Sequence, residues 1–339
     1  MLQYTSHTLN SIDIKTDSKS PLNPLEGDII ECLIKFKINN NTKPFDSFSI
    51  KISKDLMCSY VGDLNFYDEK KRKIANFSYD YDRQCAVYTF TNYVEKHKNI
   101  KGGVLYYFKV NSRIVTKSTK NLKCMINIDN YNYSFLYNVK YSQNKTHISS
   151  GVTDYNLSKG IITEIFYITP KNLDLKNVTL LFNSNNNKEL LVNRKSTRVE
   201  IYDNTFNVNL PESFGVNHKY LKNISCQFPV VEEDMFVDKL NTVSFKKNQM
   251  KLNLPSNKSS TYIIKIITKV DSVKEKLVIE TALTDNVNKN NKLCEFIKAV
   301  AVKDSVRILN QVQIQTFVIK KIGACLKSIS KPCLLYCNI

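Results

Sequence analysis

Side chains capable of acid–base, nucleophilic or metal chemistry are present in this sequence, but they do not converge. Glu232 and Glu233 form an acidic pair of the kind that can divide general acid and base roles; on a strand, however, neighbours point to opposite faces, and no third group joins them. His7, His97, His147 and His218 each stand in a polar, loop-like context that suits a solvated ring better than a base or a ligand. Nine cysteines include no C-x-x-C pair. Cys325, Cys333 and Cys337 cluster near the end, but their spacing matches no zinc pattern and the histidines lie far from them. No G-x-S-x-G elbow, H-E-x-x-H, Walker loop or Rossmann glycine fingerprint occurs, and eight glycines are few for phosphate-cradling loops. The sequence therefore predicts a protein with no enzymatic activity, no metal and no cofactor.

The elements that would have to position such groups are strands. "IIECLIKFKI" alternates so that Ile30, Cys32, Ile34, Phe36 and Ile38 line one face, which makes Cys32 a small buried apolar residue. "DSFSIKIS", "KIANFSYDY", "AVYTFTNYV", "VLYYFKVN", "KCMINID" and "YSFLYNVKYS" repeat the pattern at short intervals, separated by turn-like groups such as "NNNTKPFD" and "HKNIKGG". After the polar stretch from Gln143 to Gly160 the same grammar resumes in "IITEIFYIT", "VTLLFN", "TRVEIYD", "TVSFKK", "MKLNL", "TYIIKIITKV" and "KLVIETAL". Long amphipathic helices are missing until the tail, where "LCEFIKAVAVKDSVRILNQVQIQTFVIKKIG" reads as strands or as a basic amphipathic helix. Alternation of Val312, Ile314, Thr316 and Val318 with glutamines favours a strand there. The expected fold class is all-β, two β-sandwiches in tandem with a C-terminal extension.

The chain has 339 residues, 42% of them hydrophobic, enough for two cores. Forty-nine Lys and Arg against 31 Asp and Glu leave a net charge of +18, which would attract polyanions. The basic residues are spread out and mostly Lys, so nucleic acid is not the expected partner. The compact run "EKKRKIAN", Glu69 to Asn76, reads as a solvated hairpin loop. No stretch has the roughly 20 apolar residues that a membrane helix needs. The first residues show neither a basic start nor an apolar centre, so the chain is expected either to stay inside the cell or to lack its leader.

One strand carries a resemblance. "VYTFTNYV", Val87 to Val94, resembles the TYTFTDYV signature of clumping-factor and Sdr-type surface adhesins of Gram-positive bacteria, with Val87 for the first Thr and Asn92 for the Asp. Three segments follow in the family's order. "DSFSIKISKDL" (Asp46 to Leu56) is similar to its early D-T-F-x-I-x-x-P-x-x-L strand, with Ser53 in place of Pro. "YITPKNLDLKNVTL" (Tyr167 to Leu180) is similar to the opening strand of the second domain. "STRVEIYDN" followed by "LPESFGVNHKYLKNIS" resembles a later strand and loop.

The resemblance implies two variant immunoglobulin-like domains, N2 over 1–141 and N3 over 142–292, with 293–339 holding a latch candidate and a tail. It implies a monomeric cell-surface adhesin that traps an extended peptide of a host matrix or plasma protein, such as fibrinogen or collagen, between the domains by docking, locking and latching. In that family the signature strand borders the groove that receives the latch, which points to Tyr88, Thr89, Phe90, Thr91, Asn92, Tyr93 and Val94. Phe296, Ala299, Val300, Ala301 and Val302 are the latch candidates, Ala299 and Ala301 being small enough to slide into a narrow groove; the same segment reads equally as the terminal strand of the second domain. Two other readings stand beside this one: a structural stalk or pilus module without ligand, and a basic polyanion-binding protein.

Overall fold

The computed structural model describes residues 7–58, 63–80, 82–83, 85–142, 147–156, 159–169, 177–183, 189–232, 241–246, 248–255, 261–271, 276–285, 294–302 and 305–315. Cys325, Cys333, Cys337, Glu233, Thr316 and Val318 lie outside them, and only the backbone of Glu232 is described.

Alternating apolar residues build the first sandwich from β1 (Leu9–Ser18), β2 (Ile30–Ile38), β3 (Ser47–Ile52), β4 (Leu56–Met57), β5 (Phe66–Tyr67), β6 (Lys73–Asp80), β7 (Cys85–Phe90), β8 (Lys101–Val110), β9 (Thr119–Ile128) and β10 (Tyr131–Val139). One sheet runs β1-β2-β8 with β4 also on β8; the other runs β10-β9-β3-β7-β6-β5. Cys32, Ile34, Val104 and Tyr106 from the first face Phe48, Ile50, Tyr88, Phe90, Cys124 and Ile126 from the second. Cys32 is fully buried, and burial pushes its thiol up to about 12, an inert core residue as the alternation predicts. Of the basic run, Glu69 to Arg72 form the exposed turn between β5 and β6, whereas Lys73 to Asn76 open β6 with Ile74 and Ala75 buried.

The second sandwich contains β11 (Ile148–Asn156), β12 (Ile161–Ile168), β13 (Asn177–Asn183), β14 (Leu190–Leu191), β15 (Thr197–Asp203), β16 (Lys222–Asn223), β17 (Val230–Glu232), β18 (Thr242–Lys246), β19 (Gln249–Pro255), β20 (Tyr262–Val270), β21 (Lys276–Asp285) and β22 (Cys294–Val302). Its sheets are β11-β12-β20-β15-β16, with β14 also on β20, and β17-β18-β19-β13-β21-β22. Phe166, Phe182, Met250, Leu252 and Ile264 fill the space between them. The molecule is thus two immunoglobulin-like β-sandwiches in tandem.

The tail departs from its expectation. Residues 311–315 are helical, not a strand. Asn310 and Gln313 supply the reason: Asn310 Oδ1 accepts from the Gln313 N–H at 3.0 Å, and Gln313 Oε1 accepts from the Asn310 N–H at 2.9 Å. This reciprocal cap starts a helix whatever the downstream alternation.

The segment from 293 onwards also divides between the two domains. β22 completes a sheet of the second sandwich, whereas β23 (Ser305–Asn310) crosses back and becomes a strand of the first, adding to β8.

Candidate functional site

β23 pairs antiparallel with β8, Val306 opposite Tyr106, Ile308 opposite Val104 and Leu309 opposite Gly103. Its alternation fits the slot. Val306 is buried in the first core and Ile308 packs against it, while Leu309 on the other face is buried with Leu33 and Leu105. Arg307 lies over the Tyr107 ring at 5.8 Å. A strand from the second domain's C-terminal side thus satisfies the backbone edge of β8 in the first.

Besides β23 on β8, three contacts among the described residues join the domains. The turn Pro24–Glu26, capped by Asn23 Oδ1 accepting from Leu25 N–H at 3.3 Å, ends at Gly27 with φ of 80°. A Cβ on Gly27 would stand 2.2 Å from Val302 Cγ2 and 2.9 Å from Val300 Cγ1, so glycine is required by conformation and by contact. Leu25 packs against both the first core and the cluster of Ile165, Tyr167, Tyr202, Phe214, Leu221 and Ile263. Lastly, the loop from Leu210 meets the 112–118 segment: Ser213 N–H donates to Thr116 O at 3.3 Å, and Glu212 Oε2 accepts from Ser118 N–H at 2.8 Å and from its hydroxyl. The Ser118 hydroxyl and amide hold the Glu212 carboxyl below its ordinary range. Gly215 admits no side chain either, since a Cβ would lie 2.2 Å from Ser112 O.

The cleft so bounded encloses a cavity of about 50 Å³, far below the roughly 300 Å³ of a ligand pocket, so the cleft is closed. β22 ends its sheet there, and no described strand pairs with its outer edge. A larger groove of about 630 Å³ continues from Thr153 and Asp154 along the face of β12 and β20, lined by Arg113, Phe214, His218 and Lys265. Lys265 Nζ donates to Glu200 Oε2 at 2.9 Å. Burial, then the Lys265 charge, holds His218 below its ordinary value, and the neutral ring stacks on Tyr202 at 4.7 Å. Among the described residues, no group of three His, Cys, Asp or Glu could hold a metal ion.

The residues expected to border a latch groove fall in two places. Tyr88 and Phe90 point into the first core, each 1% exposed, with Tyr88 stacked on Phe48 at 5.1 Å. Thr89 pairs with Ser47 on one side and Asn76 on the other. β7 has both edges taken, by β3 and β6, so it cannot accept β23; the acceptor is β8, on the opposite sheet. The strand also stops at Phe90. Thr91 Oγ1 donates to Lys73 O at 2.7 Å and accepts from the Tyr93 N–H at 3.3 Å, Asn92 takes the cap position, and Tyr93 and Val94 begin the short helix α1 (Tyr93–Lys96). Tyr93 donates to Asp68 at 3.0 Å and, with Arg72, lines a hollow of about 260 Å³ that also contains Asn310, the last residue of β23.

The latch candidates are placed in β22, hydrogen-bonded to β21: Phe296 opposite Ala282, Ala299 opposite Ile279, Ala301 opposite Leu277. Ala299 and Ala301 are small because they are buried in the second core, and Val300 and Val302 face Gly27. The strand that reaches the first domain is the next one. Its signals, the alternation in "SVRILN" and the pair of glycines at 102 and 103, were readable, but their meaning depended on a partner strand far away in sequence.

Residues 148–300 match the family of C-termini of bacterial fibrinogen-binding adhesins, and residues 23–120 match bacterial Ig domains. A fibrinogen-binding protein of Staphylococcus epidermidis is 24% identical over 272 residues, covering 78% of this chain and 24% of the relative. Serine-aspartate repeat-containing protein D of Staphylococcus aureus is 22% identical over 288 residues, covering 78% of the chain and 20% of the relative. The chain therefore spans about a quarter or less of the length of these relatives. The crystal structure of serine-rich repeat protein Srr2 from Streptococcus agalactiae superposes with a TM-score of 0.65 at 18% identity, over 86% of this chain and 93% of that one.

Proposed function

We propose that this chain, which belongs to the Sdr-type family of Gram-positive bacterial adhesins and is not an enzyme, binds an extended peptide of a host plasma or matrix protein in the cleft between its domains, β23 closing behind it. The partner class is a fibrinogen-like protein, after the name of the Staphylococcus epidermidis relative, and the place of action is the cell surface. The domain limits that go with this reading are 1–141 and 142–292, with β22 added to the second domain and β23 serving closure.

One observation carries the proposal: β23 leaves the second domain and completes a sheet of the first. The outer edge of β22, to which no described strand is hydrogen-bonded, borders the cleft beside β11 and offers a peptide the same kind of backbone pairing. With about 50 Å³ between the domains, a peptide enters before closure, not through a closed cleft. Docking then comes first, and β23 acts on escape.

The energetics agree with that order. Pairing of the six residues of β23 contributes roughly 0.5–1.5 kcal/mol per hydrogen bond, and ordering the ribbon costs about 1–2 kcal/mol per residue, so backbone terms nearly cancel. Apolar burial decides: Val306 and Leu309 each contribute roughly 1.5–3 kcal/mol. Closure is therefore favourable but reversible.

The test is surface plasmon resonance on immobilised fibrinogen with the full chain and a form ending at Val302. The shortened form is expected to associate at a similar rate and dissociate at least about tenfold faster. Equal dissociation rates would remove closure by β23; absence of binding by either form would remove the partner class.

A further inference from the structure

β2 and β8 break their alternation at the same height. Cys32, Leu33 and Ile34 are consecutive apolar residues, as are Val104, Leu105 and Tyr106, and Leu33 pairs directly with Leu105. Cys32, Ile34, Val104 and Tyr106 occupy the inner face, so Leu33 and Leu105 point outward, on the side that carries Lys35, Lys37 and Lys101. A sheet face turned to water would leave these leucines exposed. They are instead 6% and 1% exposed.

Part of the cover is Leu309 of β23, 8% exposed, and part is Ile314 from the helical residues 311–315. Ile314 Cδ1 lies 3.1 Å from where a Cβ on Gly103 would stand. The local chemistry makes this arrangement specific. Asn310 and Gln313 cap one another, and the residue before the cap, Leu309, packs in one cluster with the fourth residue of the helix, Ile314. A capping box with a hydrophobic staple fixes the angle at which chain enters helix. Here it turns the chain over the outer face of the sheet just completed.

We infer that closure is two-sided: the outer leucine patch of β2 and β8 is a docking surface for this chain's own residues 311–315, which clasp β23 from outside while Val306 and Ile308 hold it from inside. The clasp rests on the reading of β23 as the closing strand. It makes the closed lifetime depend on residues that touch neither the cleft nor anything bound in it, because β23 cannot peel from its C-terminal end until the staple lets go.

Amide hydrogen exchange on the full chain, read by mass spectrometry, tests this with Ile314→Asp, with Gln313→Ala and with Gln311→Ala, whose side chain is exposed, as control. Ile314→Asp is expected to speed exchange of residues 103–107 and of β23 by about tenfold, the loss of one partly buried aliphatic contact and the placing of a charge against the leucine patch, and to leave β9, β12 and β20 unchanged. Gln313→Ala is expected to do the same to a smaller degree, and Gln311→Ala to do nothing. Unchanged exchange at 103–107 in Ile314→Asp, or acceleration spread through both sandwiches, overturns the clasp. A form ending at Val302 separates the two ideas: if it exchanges faster at 103–107 while Ile314→Asp does not, β23 closes without a clasp, and if neither does, the closing strand itself is lost.

Discussion

Leu309 of β23 lies directly opposite Gly103 of β8, and that glycine has no room for a side chain: a Cβ would stand 2.8 Å from the Ile34 carbonyl oxygen. Its neighbour Gly102 is equally confined, 2.2 Å from Phe66 Cζ. The two glycines keep β8 slim where the closing strand ends. If β23 closes over a bound peptide as proposed, Gly103→Val is expected to cost closure about 1–3 kcal/mol through overpacking, giving a roughly ten- to hundredfold faster release of that peptide. Plasmon resonance reads the rate, and an unchanged thermal transition of the second domain shows that the effect is local. Release at the wild-type rate would mean the strand does not need this register.

Glu212 and Ser118 join the domains through a carboxylate. Hydrogen bonds from Ser118 lower the Glu212 pKa, so the contact is present above the ordinary carboxyl value of 4.5 and is lost as pH falls through the lower, folded value. The group is largely solvated, and its worth is under about 1 kcal/mol. Small-angle scattering from pH 7 to pH 3 is expected to show looser domains at the acid end. Glu212→Gln is expected to be slightly looser at pH 7 and to have a flatter profile; identical profiles would assign the acid response elsewhere.

Glu164 presents the opposite sign. It sits on the inner face of β12, 1% exposed, with Ser150 donating to Oε1 at 2.7 Å and Oε2 without a partner among the described residues. Burial raises its pKa from 4.5 to about 8. The folded state therefore keeps a proton that the unfolded chain releases. Stability is fully present below 4.5 and falls as pH rises towards about 8, by up to about 1.4 kcal/mol per unit. Glu164→Gln is expected to raise the melting temperature of the second domain at pH 8 by several degrees and to change it little at pH 4. A variant with the same slope as the parent would show that Glu164 titrates normally.

How far the sequence could be read depends on where each strand's partner lies. β2, β3, β6, β8, β12 and β20 are rich in apolar, β-branched and aromatic residues and were expected in place. β11 was read as a polar junction because a bulge between Val152 and Asp154 breaks the period, leaving Ile148, Val152 and Tyr155 without a regular spacing. Tyr93 and Val94 favour strand by propensity, but the Thr91 hydroxyl offers the backbone a local bond that turns it into α1. Residues 311–315 carried a cap-and-staple signal in "LNQVQI", outweighed in the reading by the alternation of Val and Gln. The order of the four matched segments pointed to two sandwiches, yet nothing local distinguished β22 from β23. Both alternate, and only pairing across the chain decides which one leaves its domain.

Tyr88 tests what the signature strand is for. The expectation from sequence was that its polar groups face a groove; instead the Tyr88 ring is 1% exposed between Phe48 and Phe77, and its hydroxyl has no partner among the described residues. A buried hydroxyl left unpaired destabilises by about 1–3 kcal/mol, whereas a ring without it packs as well. Tyr88→Phe is therefore expected to leave release of the proposed peptide ligand unchanged and to raise the first domain's melting temperature by a few degrees. Tyr93 behaves differently. Its hydroxyl bonds Asp68 at 3.0 Å beside Asn310, so Tyr93→Phe is expected to speed release by about twofold to fivefold, the loss of one hydrogen bond at the end of the closing strand. Calorimetry and plasmon resonance on the two variants separate core from closure. If Tyr88→Phe hastened release as Tyr93→Phe does, the whole of β7 would act on the closing strand through the core.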